Sequence, residues 1–217
     1  MKPFAKPGLM LITLSAAALL GGCRHKNGDL YESGIYVTRS ACPQVAIPAE
    51  TGDVTLFNPA GSVAAAAIDV EATITNLRGS CNDSGANVVS TASFDVVATR
   101  RDNGPARTVV LPYFDVAMQG GSAVVAKRIG QVGLTFAAGQ VRASTRGQAS
   151  ISVSRAAVTL PADVRRSLTR ERKPGDADAA IDPLSNPTIR DAVARATFEH
   201  LVGFQLTQDQ LRYNATR

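Results

Sequence analysis

The strongest constraint on the fold is a strict two-residue rhythm. In residues 67–76, AIDVEATITN, Ile68, Val70, Ala72 and Ile74 alternate with Asp69, Glu71, Thr73 and Thr75. Side chains of a strand point to opposite faces in turn, so this spacing makes one face apolar and the other wet. Residues 91–99 repeat it, with Ala92, Phe94, Val96 and Ala98 against Ser93, Asp95 and Thr99. Asp102-Asn103-Gly104-Pro105 then signals a turn into a strand at 107–117. Pro112 inside that run has no N–H to give a ladder, so it predicts an edge or a bulge. Gly120-Gly121-Ser122 leads into 123–136, and Ala138-Gly139-Gln140 into 141–159. Short runs at 35–39, 44–48 and 53–57 complete about eight strands.

Short strands divided by Gly, Asn and Pro turns predict a mainly β chain. The expected form is an antiparallel β-sandwich of immunoglobulin-like architecture over residues 34–160, with a C-terminal α-helical extension over 161–217. The Cys–Trp–Cys spacing of true immunoglobulin domains is missing, since the chain has no Trp. The period changes at Pro161-Ala162-Asp163, which opens a helix running to about Arg172. Residues 174–187 hold three prolines and form a linker. Asn186-Pro187 caps a second helix of roughly 17 residues ended by Gly203, its apolar side carrying Ile189, Val193, Ala196, Leu201 and Val202. Thr207-x-x-Gln210 is a capping box for a last short helix.

The N-terminus carries a different message. Lys2 and Lys6 precede an uncharged apolar run from Leu9 to Leu20. A dozen residues are too few to span a bilayer as a helix, which takes about 20. The order of charge, apolar core and small residues reads as a signal peptide. Its end, Leu20-Gly21-Gly22-Cys23, resembles the lipobox of bacterial lipoproteins. The resemblance implies cleavage between Gly22 and Cys23 and a diacylglycerol on the Cys23 thiol. Residues 1–22 would then be the signal, and 23–33 a lipidated tether. Arg24 is not the Asp typical of retention at the inner membrane, so the outer membrane, facing the periplasm, is the expected address. Two or three acyl chains on one residue satisfy the two-signal requirement for stable anchoring. The rest of the chain resembles proteobacterial envelope lipoproteins with a β-rich body and a helical tail.

That reading also sorts charge and cysteines. Losing Lys2 and Lys6 takes 23 basic residues to 21 against 18 acidic ones, so the net charge falls from +5 to +3. Nothing in that balance asks for a nucleic acid. Aromatic residues are only 5% of the chain, which argues against a sugar-stacking site. With Cys23 taken by lipid, Cys42 and Cys81 remain, and an even pair in an exported chain reads as a disulfide. Closing a loop of about 40 residues would stabilise the fold by ~4 kcal/mol on the chain-entropy account. The rival readings are two free thiols or a metal site, and neither His25 nor His200 is spaced with a cysteine.

No nucleophile elbow, phosphate loop or zinc-helix motif is present, and no His–acid–nucleophile set can be proposed. His200 reads as a structural or surface residue of the second helix. Asp176, Asp178 and Asp182 lack the Gly and Glu positions of a calcium loop. No catalytic residue, metal or cofactor is therefore expected. Arg165, Arg166, Arg170, Arg172 and Lys173 form the densest basic cluster, and could meet an anionic surface or simply be a solvated helix face. The expected function is a non-enzymatic, membrane-anchored envelope protein that binds a protein partner. A lipid or lipopolysaccharide carrier is the alternative, and a hydrolase is the third.

Overall fold

The computed structural model describes residues 39–217. Eight strands form two four-stranded sheets packed as a sandwich. They are β1 (Gln44–Ala46), β2 (Asp53–Phe57), β3 (Ile68–Asn82), β4 (Asn87–Arg100), β5 (Arg107–Gln119), β6 (Ala123–Phe136), β7 (Arg142–Ser154) and β8 (Phe198–Phe204). The first sheet has the order β1-β8-β5-β6 and the second β2-β3-β4-β7. All pairings are antiparallel except β1 with β8. Four short helices follow the β7 strand: α1 (Arg155–Val158), α2 (Ala162–Thr169), α3 (Pro187–Arg195) and α4 (Gln208–Thr216).

The alternating runs do what their spacing demands. Val70, Ala72 and Ile74 of β3 face inward beside Ala92, Phe94, Val96 and Ala98 of β4. Across the interior they meet Leu111 of β5, Val132, Leu134 and Phe136 of β6, and Val202 and Phe204 of β8. Burying such side chains contributes about 1.5–3 kcal/mol each. Arg100 closes one end of this core. Its guanidinium lies 5.3 Å from the Phe136 ring centroid and donates to the carbonyls of Gln140, Pro105, Gly104 and Ala137. A buried cation is tolerated because several acceptors replace its water.

The predicted caps hold. Asn186 accepts from the Thr188 N–H with Pro187 at the first helical position, and Thr207 and Gln210 form the reciprocal capping box of α4. The predicted second helix does not run to Gly203. It stops at Arg195, and Phe198–Phe204 is strand β8, paired on both sides by β1 and β5. Gly203 is what lets this strand be covered: a Cβ there would lie 2.3 Å from Thr51 Oγ1 and 2.7 Å from Phe114. The region after residue 160 is therefore not only a helical extension, because it supplies an interior strand of the sandwich.

Pro112 lies in a strand with neighbours on both sides, yet the expectation of an edge is met locally. β8 pairs with β5 only from Tyr113 onward, so at Pro112 the ladder has one neighbour, β6. The Pro112 carbonyl accepts from the Gln205 N–H, a bond that needs no donor from proline. The run predicted at 141–159 ends as strand at Ser154 and turns into α1. The run predicted at 35–39 falls, up to residue 38, outside the described residues.

Residues 171–181 lie outside the compact unit that holds the sandwich and are built from successive turns. Asp176 N–H donates to the Lys173 carbonyl, Ala179 to Asp176 and Ile181 to Asp178.

Candidate functional site

The sequence-predicted residues fall in three places. Gly22 and Cys23 lie outside the described residues. Cys42 and Cys81 form a disulfide with Cα atoms 5.9 Å apart. Cys42 precedes the edge strand β1, and Cys81 is inside β3, so the bond ties one sheet to the other. Gly79 makes that approach possible, since a Cβ there would sit 2.6 Å from the Val45 side chain.

The basic cluster does not present five surface cations. Arg165 and Arg166 are exposed on α2, whose other side buries Val164 and Leu168 against Ala192 of α3. Arg170 is exposed at the helix end. Arg172 is only 4% exposed, with its Nε 3.4 Å from Asp178 Oδ2, so it is withdrawn from any surface contact. Lys173 is exposed, and its backbone N–H donates to Asp176. Asp182 accepts from the Leu184 N–H. Among the described residues no group of three or more His, Cys, Asp or Glu side chains could hold a metal ion, and no helix is long and apolar enough to cross a membrane.

A site that sequence reasoning missed lies between the sheets. Asp115 of β5 points inward and accepts a hydrogen bond at Oδ1 from His200 Nε2, 3.0 Å away. His200 Nδ1 lies 3.0 Å from Ser90 Oγ of β4. A carboxylate only accepts, so Nε2 is the donor to Asp115, and Nδ1 shares the second hydrogen bond with the Ser90 hydroxyl. The Asp115 Oδ2 atom accepts from the Ser150 N–H of β7 and from the Arg128 guanidinium of β6, each at 3.2 Å. Acid, imidazole and hydroxyl thus stand in the order of a hydrolytic triad, a set that no spacing in the sequence proposes because it assembles only in three dimensions. Their burial decides what the array can do. Ser90 is 1% and His200 0% exposed, so no carbonyl can reach the serine in this conformation. As it stands, the array cross-links β4, β5, β7 and β8.

Tyr113 works beside it. Its hydroxyl donates to the Gln148 carbonyl of β7 at 2.7 Å. Together with Asp115 it satisfies backbone groups of β7, an edge strand of the second sheet. Gly130 of β6 stands opposite Tyr113, where a Cβ would lie 2.3 Å from the ring. Burial pushes the Tyr113 phenol above its ordinary value, and the Asp115 charge adds to the rise while Arg128 opposes it. One signal could have exposed this site: Asp115 has the same parity along β5 as Leu111 and Ala117, the inward-facing set.

Two open hollows lie on the surface of the described residues. A groove of about 1010 Å³ runs between the loop after β2 and α4, lined by Leu56, Phe57, Val63, Arg212 and Tyr213 among others. A second, of about 690 Å³, lies on the second sheet, with Glu71, Val97, Arg142 and Arg217 at its walls.

Comparison with protein-family models, with curated proteins and with solved structures found no match.

Proposed function

We propose that this chain is a lipid-tethered binding module of the bacterial cell envelope. Cys23 carries the anchor, the outer membrane holds it on the periplasmic side, and the sandwich engages an envelope protein without catalysing a reaction. The single observation that carries the reading is Leu20-Gly21-Gly22-Cys23 after a short apolar core. The Cys42–Cys81 bond supports it, since such bonds persist in oxidising compartments. The buried state of Ser90 and His200 favours a structural use of the one triad-like array over hydrolysis.

Acyl labelling of intact cells tests the anchor. Wild type is expected to take up labelled palmitate and to sediment with membranes, and Cys23→Ala to do neither. A mutant that keeps both label and membrane fraction ends this reading. The groove beside α4, where Leu56, Phe57 and Val63 stand among polar side chains, favours a second one, carriage of a lipid. Mass spectrometry of unlipidated protein separates the two: a stoichiometric copurifying lipid supports carriage.

A further inference from the structure

The β6 strand ends the first sheet, and among the described residues no strand pairs with its outer side. An edge strand offers a row of unpaired N–H and C=O groups, and natural edges are normally blunted by charge, bulges or cover. Among the described residues no further strand is paired to β6. Every residue from Ala123 to Ile129 is exposed, including Val124 at 57%, Val125 at 49% and Ile129 at 52%. The single irregularity lies at the start of the strand. Ala117 pairs with Ala126 and Met118 with Val124, so Val125 is an extra, bulged residue. From Ala126 to Gln131 the register with β5 is regular.

The strand is also held in place before anything binds. Gly120 and Gly121, at φ +60° and +73°, turn β5 into β6. The Gly120 N–H donates to the Thr197 carbonyl, and the Gln119 side chain to the Arg195 carbonyl at the end of α3. A fixed edge loses little freedom when a strand is added, which favours association.

Charge selects the partner. Residues 116–162 contain no Asp or Glu, but do contain Lys127, Arg128, Arg142, Arg146 and Arg155. Arg128 and Arg146 each contact an aspartate, yet their side chains remain 65% and 79% exposed. Lys127 lies over the Phe114 ring. A second copy of this chain would bring a like-charged edge against this one. We propose that the β6 edge from Ala126 to Gln131 receives an extended acidic polypeptide segment as a fifth strand of its sheet. The backbone row supplies affinity, Lys127 pairs with carboxylates on alternate residues of the added strand, and Ile129, on the same face as Lys127, covers their stems. An anionic lipid surface would use the charge but not the backbone row. This names the partner class for the binding module above, and so rests on that reading for its purpose.

The test uses the full lipidated chain in neutral detergent and two labelled probes, (Glu-Val)4 and (Glu-Pro)4. The two carry the same carboxylates, but proline cannot donate to a ladder. The expected result is that (Glu-Val)4 binds at least about tenfold more tightly than (Glu-Pro)4 and slows amide exchange in 126–131. Lys127→Glu, at an exposed position, should weaken (Glu-Val)4 by about tenfold with an unchanged melting temperature, and Lys127→Gln by less. Equal binding of both probes, or no protection of 126–131, overturns strand addition. Protection by phosphatidylglycerol vesicles without peptide binding also overturns it, in favour of lipid. Acyl labelling is scored on the same preparations: a lost label with retained peptide binding removes the tether alone, and the converse removes the strand site alone.

Discussion

The interior of the sandwich holds two kinds of packing within one pair of sheets. On one side lies an apolar cluster built from Phe94, Leu134, Phe136, Val202 and Phe204. On the other lies a smaller one with Val88, Ile151, Val158 and Phe198. Between them, along three separate strands, stand Ser90, Asp115 and His200. The two kinds fail in opposite ways. An apolar cluster resists loss of volume but is indifferent to which atoms fill it. A buried polar array resists loss of a single partner, because the group left behind is neither hydrated nor paired. The apolar clusters supply the bulk of the folding drive. The polar layer specifies how the sheets face one another, since three strands must align for three groups to bond.

The largest expected effect lies in the apolar part. Phe94 packs edge-on against Tyr113 with ring centroids 5.3 Å apart, and its ring fills the space left by Gly147. Phe94→Ala should cost about 3–5 kcal/mol in denaturant unfolding, whereas Phe94→Leu should cost well under half of that. If both cost the same, the cluster is not held by volume, and the contrast between the two regions fails.

The next effect belongs to the polar layer. Asp115→Ala leaves the His200 Nε2–H and the Ser150 N–H without acceptors, and should cost about 2–4 kcal/mol. Ser90→Ala removes one hydroxyl and leaves a single ring nitrogen unpaired, for about 1–2 kcal/mol. Asp115→Ala combined with His200→Ala should cost less than the sum of the two single changes, with a coupling of about 1–3 kcal/mol. Additive costs in that cycle would mean the three residues are merely neighbours, and the polar layer would lose its separate character.

These two regions were also unequally legible in the sequence. The apolar strands β3 and β4 announce themselves because one face is wet, so Val70, Ala72 and Ile74 alternate with polar residues. β8 gives no such signal. Six of its seven residues are buried, and a short apolar run bearing Glu199 and His200 fits a helix as well as a strand. Following directly on the well-capped α3, it extends the helical reading past Arg195. That error hid the polar layer, because it put His200 on the wrong element. Ser90 lies 110 residues from His200 and Asp115 lies 85 away, separations that only the completed topology can close. The acid-free stretch from 116 to 162 could be read from the chain, but it gains meaning only once β6 is known to be an edge.

The smallest expected effect sits where the two regions meet. Tyr113 stacks on Phe94 with its ring and reaches the Gln148 carbonyl with its hydroxyl. Tyr113→Phe keeps the ring, so the apolar cluster is untouched, and the lost bond should cost about 0.5–1.5 kcal/mol at neutral pH. The cost should then depend on pH in a defined direction. Burial, with Asp115 nearby, raises the phenol's value in the folded state above that of the unfolded chain. The neutral form is the one the fold favours. Its contribution is therefore fully present below the ordinary phenol value of about 10 and is lost as pH rises through the higher folded value. Melting temperatures of wild type and variant, measured side by side from pH 8 to pH 11.5, should differ by a constant amount up to about pH 10 and converge above it. A gap that stays constant to the alkaline limit would place the Tyr113 hydroxyl in water, outside the reach of the Asp115 charge. The polar layer would then end at Asp115 and Ser150, and the apolar cluster would close that flank of the sandwich alone.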